Sequence, residues 1–369
     1  MEPLLVFLFA FALSAILVLT RGFHLNLTGD SDLGAVQKVH GVSVPRIGGV
    51  AVFGSLAVFA IAAVTFGKEA GAANGPLPML LACSLPALVS GVVEDVTKVV
   101  APAVRLAMTM VSALLGYFLL AASVAKTGVP FVDHMLQFEF IALPVTVVAV
   151  AGVSNSINLI DGYNGLASGV CCAVLLGIAV MAYSAGDIAM VEVAFACVAA
   201  LLGFMAWNFP FGRIFLGDGG AYFTGFMVAE LGLLLVVRDR SISPWSVLLL
   251  VAYPVTETLF SIARRRFITR TRAAEPDAQH LHHLIHQWIS AQPWSTDTRL
   301  GDLRNPLTTV VLWFFNAIAV VPAVCLRGDE LGTMTWLGGF VLCYSALYGL
   351  LYKAGTHGAG FSTRPWVEL

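Results

Sequence analysis

Residues 154–183 read SNSINLIDGYNGLASGVCCAVLLGIAVMAY and contain the pattern that decides the fold. The second part of this stretch, 166–183, carries no charged side chain. The hydrocarbon core of a bilayer is about 30 Å thick and takes roughly 20 apolar residues of helix. The first part, 154–165, is rich in asparagine and serine and includes Asp161. The stretch therefore predicts a polar gap followed by a transmembrane helix.

The whole chain has the composition of a membrane protein. Of its 369 residues, 58% are hydrophobic and 11% are charged, and the mean hydropathy is +0.86. So little polar surface cannot coat a water-soluble globule. The apolar runs are continuous and lack the alternation of a membrane β-barrel, which leaves helices as the spanning structure. We predict an all-α polytopic membrane protein.

Eleven apolar runs are candidate spans. They cover residues 3–20, 47–66, 77–93, 104–124, 140–153, 166–183, 189–207, 221–237, 245–262, 308–326 and 334–352. The fifth run is short and follows Gln137 and Glu139. The longest gap, 263–307, is too short for an independent core. We therefore expect one integral membrane domain over residues 1–369, with its function in the gaps.

The distribution of Lys and Arg predicts the orientation. If the N-terminus is outside, alternate gaps, the C-terminal tail and Arg105 face the cytoplasm and hold 15 of the 20 basic residues. The positive-inside rule favours this topology. Residues 1–20 are expected to be a span and not a cleaved signal peptide, because Glu2 and Pro3 stand where a basic region would be.

Other classes of function find no support in the composition. The six cysteines lie within predicted spans without metal-ligand spacing, so we expect packing residues and no disulfide framework. The net charge is −2, and the arginines that begin at Arg264 lie where span nine leaves the bilayer. They are typical of a topology anchor beside anionic lipid headgroups. No nucleic-acid partner is expected.

The first cytoplasmic gap collects cations beside glycine. Lys38, His40 and Arg46 precede the Gly48–Gly49 pair that opens span two. Cations beside flexible backbone at a helix start suit an anion such as phosphate. An interfacial anchor is the alternative.

The second gap begins with two adjacent acids, Glu94 and Asp95, followed by Lys98 and Arg105. Adjacent carboxylates in a confined site raise one another's pKa unless a cation offsets them, so they suit proton transfer or a divalent metal. A solvated helix end is the alternative.

The third gap repeats polar residues at a spacing of three: Asn155, Asn158, Asp161 and Asn164. That spacing places successive members near one another on a helical turn. Their oxygens are hard ligands that suit Mg²⁺. Helix capping would explain one or two of the four.

The fourth gap carries one acid. Asp218 stands among glycines just before span eight, where it fits either a metal site or an ordinary turn.

The fifth gap contains four histidines: His280, His282, His283 and His286. The sequence lacks a zinc-protease pattern and a nearby cysteine, so donation to phosphate or sugar oxygens is favoured over zinc.

Two glutamates lie inside predicted spans. Glu230 falls near the bilayer middle and Glu257 nearer the cytoplasmic side. Such acids are functional candidates, with a neutral hydrogen-bonded side chain as the alternative. Pro254 predicts a kink in span nine that could open a lipid-facing groove.

In this order, over about residues 30–290, the segments resemble the polyprenyl-phosphate N-acetylhexosamine-1-phosphate transferase superfamily, glycosyltransferase family 4. The resemblance implies an enzyme of the bacterial inner membrane that moves a sugar 1-phosphate from a UDP-sugar to a polyprenyl phosphate such as undecaprenyl phosphate. UMP is released, and the product serves cell-envelope polysaccharide synthesis. Mg²⁺ is the expected metal, with Mn²⁺ as an alternative, and a homodimer stays open.

The resemblance also assigns roles. Asn158 and Asp218 match the metal ligands, and Glu94, Asp95 and Asp161 match the catalytic carboxylates. Asn164 would contact uracil, with Phe215 stacking on the ring. The full set of substrate-binding candidates is Lys38, Arg46, Lys98, Arg105, Asn164, Phe215, His280, His282 and His283.

Two departures from the family pattern concern single residues. Glu94 stands where bacterial members usually have Asp, and Asn164 replaces a second Asp. The fifth gap reads HLHHLIH and not P-x-H-H-H-x-E, which favours the polysaccharide-initiating branch over the peptidoglycan enzyme. A secondary transporter and an inactive lipid-linked scaffold are the rival functions, and direct transfer and a two-step aspartyl route both stay open.

Overall fold

The computed structural model describes residues 2–29, 43–66, 75–269, 279–296, 301 and 303–357. These ranges are almost entirely helical, as predicted. In chain order the helices are α1 (Glu2–Leu19), α2 (Arg21–Thr28), α3 (Gly48–Phe66), α4 (Leu77–Thr97), α5 (Pro102–Leu120), α6 (Pro130–Met135), α7 (Glu139–Ile160), α8 (Leu166–Ser184), α9 (Ile188–Asn208), α10 (Gly217–Arg238), α11 (Pro244–Leu250), α12 (Ala252–Arg264), α13 (Leu281–Ser290), α14 (Arg304–Cys325) and α15 (Glu330–His357).

The number of spans agrees with the sequence. Within the described ranges, nine helices are long and apolar enough to cross a membrane. Two bent pairs, α1 with α2 and α11 with α12, bring the number up to eleven if each pair is one span. The all-helical, polytopic membrane fold is confirmed.

Span nine bends by 77° between α11 and α12. The break lies at Val251, three residues before Pro254. Proline has no N–H, and its ring clashes with the carbonyl four residues earlier, here that of Leu250. The disruption therefore appears one turn before the proline, and the predicted kink of span nine is confirmed.

Three helices extend further into the polar gaps than predicted. Helix α4 runs to Thr97, α7 runs to Ile160, and α10 already begins at Gly217. The predicted bounds stopped where the apolar run stopped. The polar residues at these ends form helix because distant segments satisfy their side chains.

Helix α10 lies at the centre of the bundle and contacts α3, α4, α5, α7 and α8. Every residue from Gly217 to Gly232 is buried. A helix enclosed on all sides has no solvent-facing or lipid-facing side. The start of α10 is therefore fixed by several neighbours at once. The six cysteines all lie in described residues and are free thiols. Cys83, Cys171, Cys172 and Cys197 are buried, as expected of packing residues, whereas Cys325 and Cys343 are exposed.

Candidate active site

The carboxylate of Asp95 binds the start of α10. One oxygen accepts the backbone N–H of Asp218 at 2.9 Å, and the other accepts that of Gly219 at 2.9 Å. The first N–H groups of a helix have no partner within it, so a carboxylate from another helix satisfies them and complements the helix dipole. Asp95 is 1% exposed. The contact joins the end of α4 to the start of α10.

Asp218 receives three side chains from three other segments. Its Oδ1 accepts the Asn158 amide N–H at 3.1 Å and lies 3.4 Å from Nη2 of Arg46. Its Oδ2 pairs with the Arg105 guanidinium. Arg46 Nε also lies 3.7 Å from Oδ1 of Asp95. We call these five residues the carboxylate–arginine cluster.

The backbone around Arg46 positions its side chain. The Arg46 N–H donates to the Thr28 carbonyl at 2.9 Å, and the Pro45 carbonyl accepts the N–H of Phe215 at 2.8 Å. Segment 43–47 therefore lies between the end of α2 and the segment before α10. The Phe215 side chain, the predicted uracil platform, is half-buried beside the cluster's backbone.

The glycine pairs permit contact between helix backbones. A methyl group on Gly91 of α4 would overlap Gly219, and one on Gly49 of α3 would overlap Gly220. Gly48 donates to the Phe215 carbonyl at 2.9 Å and Gly49 to the Leu216 carbonyl at 2.8 Å, so both amides are paired within the protein. Binding of an anion by the cations of this segment stays a prediction.

The two adjacent acids of the second gap point to different partners. Glu94 accepts the N–H of Val100 at 2.6 Å, in the turn that follows α4. The Lys98 ammonium donates to the carbonyl of Asp95. Neighbouring residues on a helix lie about 100° apart, so only one of the pair can face α10. Asp95 enters the cluster and Glu94 closes the turn.

Asp161 ends α7 beside the cluster. Burial raises the pKa of its carboxyl to about 7, and the positive charge of Arg46 opposes that rise. The negative charges of Asp161 and Asp95 also act on one another. A carboxyl group with a pKa near neutral pH can accept and release a proton under physiological conditions.

The other members of the three-residue series have different partners. Asn155 accepts the Tyr222 hydroxyl at 3.3 Å. Asn164 is buried, its amide donates to the Pro210 carbonyl at 2.9 Å, and its backbone N–H donates to Asn305 at 3.1 Å. The helical spacing does not reach Asn164 because α7 ends at Ile160. The structure places this side chain in contacts that hold the loop.

Glu257 organises the histidine segment. Its two carboxylate oxygens accept the N–H of Leu281 at 3.1 and 3.2 Å, at the start of α13. Oε1 also lies 3.0 Å from Nδ1 of His280, and both side chains are buried. The glutamate that the sequence placed inside a span thus fixes where α13 begins.

The histidines of α13 pack against the third gap. The Tyr163 ring lies 5.5 Å from His282, 6.1 Å from His283 and 5.2 Å from His286. Burial lowers the pKa of His282 well below its usual value and that of His286 to about 4. Both imidazoles are therefore neutral at pH 7, which suits hydrogen bonding more than charge neutralisation. Lys38 and His40 lie outside the described residues.

Several contacts were not foreseen from the sequence. Asn305, Thr309 and Trp313 of α14 bind the backbone of the third gap. Their only signal is a polar group every fourth residue at the start of an apolar run, which also occurs in ordinary packing helices.

A family model described as glycosyl transferase family 4 matches residues 77–236. Over this region, which is less than half of the chain, the protein is similar to glycosyl transferase family 4. The matched region contains Asp95, Asn158, Asp161 and Asp218. Arg46 and the histidines of α13 lie outside it.

The chain is similar to curated proteins from three bacteria. The chain is 26% identical over 324 residues to a probable undecaprenyl-phosphate N-acetylglucosaminyl 1-phosphate transferase of Bacillus subtilis, covering 85% of this chain and 81% of that protein. It is 24% identical over 262 residues to an undecaprenyl-phosphate alpha-N-acetylglucosaminyl 1-phosphate transferase of Thermotoga maritima, covering 70% and 73%. It is 26% identical over 303 residues to a phospho-N-acetylmuramoyl-pentapeptide-transferase of Streptococcus thermophilus, covering 75% and 86%.

Proposed function

We propose that the protein is a family 4 glycosyl transferase that moves a sugar 1-phosphate from a UDP-sugar to a polyprenyl phosphate and releases UMP. The observation that carries the proposal is the carboxylate–arginine cluster, in which residues from four polar segments meet at one end of the bundle. The reaction forms a bond between an oxygen of the lipid phosphate and the sugar-bearing phosphorus. The bond from that phosphorus to the oxygen that leaves with UMP breaks.

Both substrates are anions, so the site must offset their repulsion. Arg46 and Arg105 supply two permanent positive charges beside Asp218. Planar guanidinium groups suit phosphate oxygens because they donate two parallel N–H groups. When phosphates enter, these arginines can turn from Asp218 to the substrate while remaining within the cluster.

The donor set fits Mg²⁺. Among the residues described, no three His, Cys, Asp or Glu side chains converge on one metal position. Mg²⁺ does not need such a set, because it usually takes one or two carboxylates, several waters and substrate phosphates. Asp218 offers a carboxylate, and Asn158, whose amide nitrogen donates to that carboxylate at 3.1 Å, offers the oxygen of the same amide. A bound Mg²⁺ would neutralise charge on the pyrophosphate.

The two central acids have different proposed roles. Asp95 already accepts two backbone N–H groups, so it fits the holding of Asp218 better than proton transfer. Asp161, with a pKa of about 7, can take the remaining proton of a lipid phosphate monoanion. That transfer makes the attacking oxygen more nucleophilic.

The names of the relatives and the distribution of basic residues support a donor and a membrane face. The names of the Bacillus subtilis and Thermotoga maritima relatives favour N-acetylglucosamine 1-phosphate as the transferred group. The excess of Lys and Arg in alternate gaps favours a cytoplasmic active site. The product would then serve surface-polysaccharide synthesis.

A donor panel tests the proposal. Purified protein in lipid nanodiscs receives undecaprenyl phosphate, Mg²⁺ and one of UDP-N-acetylglucosamine, UDP-N-acetylgalactosamine or UDP-N-acetylmuramoyl-pentapeptide. We expect UMP and a labelled lipid product with one of the first two donors, and neither product without lipid phosphate. Failure of every donor to yield UMP would refute the transferase. Substrate flux into vesicles without UMP release would support a transporter in its place.

A further inference from the structure

One face of α14 binds the loop that follows α7. Asn305 Oδ1 accepts the N–H of Asn164 at 3.1 Å, and the Thr309 hydroxyl donates to the Asn164 carbonyl at 2.8 Å. Trp313 Nε1 donates to the Gly165 carbonyl at 3.2 Å. Residues spaced by four lie on one side of a helix. We call these three residues the α14 ladder.

The α14 ladder satisfies backbone groups at the end of this loop, one of which, the Gly165 carbonyl, also accepts the N–H of Gly169 at 2.8 Å. Asn305 is 6% exposed and Thr309 is fully buried. A buried backbone N–H or C=O without a partner is costly, so α14 stabilises this loop conformation together with Asn208, whose Oδ1 accepts the N–H of Gly165 at 2.6 Å. Each of the three side chains contacts backbone atoms of Asn164 or Gly165, so the contacts fix the path of the backbone in this loop.

The position of the loop gives the ladder its importance. Residues 161–165 connect α7, which carries Asn158, to α8, and they begin with Asp161. Asn164 and Gly165 lie three and four residues after that acid. If these two residues shift, the end of α7 and the Asp161 carboxylate shift with them.

Helix α14 also contacts the histidine segment. Nδ1 of His286 lies 3.2 Å from the Thr308 hydroxyl. Tyr163, in the same loop, packs between His286 and His282. One helix therefore holds two polar segments that are far apart in the sequence. It lies outside the region 77–236 that matches the family model.

We infer that Asn305, Thr309 and Trp313 are positioning residues, which hold the 161–165 loop so that Asp161 faces the carboxylate–arginine cluster. The effect on transfer rests on the proposed function, whereas the effect on the loop does not. These three positions of α14 carry no titratable group, so their role in the active site is to hold the loop.

Thr309→Val tests the contact between Thr309 and the Asn164 carbonyl, the second of the three in the α14 ladder. Valine has nearly the shape of threonine and lacks only the hydroxyl that binds the Asn164 carbonyl. We expect faster amide hydrogen exchange in peptides that cover 161–165, and kcat reduced about tenfold with a smaller change in KM for the UDP-sugar. Thr309→Ser restores the donor and should return both quantities to within about twofold of the original protein.

A matched control separates positioning from general loosening. Thr333 on α15 is also fully buried, and its hydroxyl donates to the carbonyls of Asp329 and Glu330, at the start of its own helix. Thr333→Val should leave exchange at 161–165 and kcat unchanged. Trp313→Phe removes the indole N–H that donates to the Gly165 carbonyl. It should raise hydrogen exchange in the same peptides.

The exchange measurement needs no substrate, so it decides the positioning claim even if no donor is turned over. Unchanged exchange at 161–165 in both Thr309→Val and Trp313→Phe would overturn the inference. Equal effects from Thr333→Val and Thr309→Val would overturn it as well. Faster exchange with unchanged kcat in an active enzyme would show that the ladder holds the loop without positioning Asp161, which contradicts the inference.

Discussion

Helix α10 buries two acidic side chains in opposite surroundings. Asp218, in its first turn, is met by Asn158, Arg46 and Arg105. Glu230 lies twelve residues later, about 18 Å along the helix axis. It is fully buried, and in the described part of the chain neither of its carboxylate oxygens has a hydrogen-bond partner.

The different surroundings of Asp218 and Glu230 distinguish an acid that can take part in the reaction from one that only packs against its neighbours. Buried charges are tolerated where opposite charges and hydrogen bonds compensate them, and an isolated charge is very costly. Asp218 has that compensation and Glu230 does not. Glu230 instead lies directly against Gly116 of α5, where a methyl group would overlap its carboxyl. Burial of an acid in a membrane protein is therefore a weaker sign of function than the partners around it.

The largest effect is expected at the compensated acid. Asp218→Asn keeps the shape and removes the charge that pairs with Arg46 and Arg105 and that would bind Mg²⁺. We expect kcat for UMP release to fall by about 10³-fold or more. Steady-state assays at saturating donor measure it. An activity within tenfold of the original would place the chemistry elsewhere.

Asp95→Asn should have the next largest effect. An amide offers one acceptor oxygen, so the N–H of Asp218 or Gly219 loses its partner in a buried site. We expect unfolding free energy to fall by about 1–3 kcal/mol. The displaced start of α10 should lower kcat about 10²-fold. Thermal unfolding and turnover are measured on the same samples, and a loss of stability without loss of turnover would contradict the positioning role.

The pH dependence of turnover tests Asp161. Its carboxyl has a pKa of about 7, so it is protonated below that pH and can accept a proton only above it. We expect kcat to rise from pH 6 to pH 8 with a midpoint near 7. Asp161→Asn should lower kcat and abolish this rise. A variant that retains the same midpoint would assign the titration to another group.

The smallest effect is expected at the uncompensated acid. Glu230→Gln preserves the volume and replaces a carboxyl whose oxygens make no hydrogen bond. We expect unfolding free energy to change by about 0.5 kcal/mol or less and kcat to stay within about twofold. A loss of turnover comparable to that of Asp218→Asn would contradict the claim that Glu230, unlike Asp218, has no part in the reaction.

The sequence predicted the fold well because transmembrane helices are continuous apolar runs, which need no tertiary information. It predicted helix ends less well. Helix α7 continues through Asn155 and Asn158 because Tyr222 and Asp218, on another helix, bind those side chains. The residues of the gap alone do not indicate which distant side chains will bind them.

The candidate site was predicted in part. The resemblance named Asp95, Asn158 and Asp218, and the structure brings the three together. It did not separate Glu94 from Asp95, because their directions depend on where α4 ends. Thr309 was missed because a threonine in an apolar run looks like packing, and its partner is a backbone carbonyl 145 residues away. Contacts of that kind become visible only in three dimensions.

The contacts between glycines around Asp218 have a consequence for large mutational surveys. Gly49, Gly91, Gly219 and Gly220 contribute no side chain, yet a single added methyl group at any of them forces backbones apart at the cluster. In a saturation library selected for activity, these four positions would be depleted as strongly as the acids themselves. The depleted positions alone would then outline a site with about twice as many residues as those that react with or bind the substrates. Selecting the same library for membrane insertion and folding would sort the glycines from the groups that react.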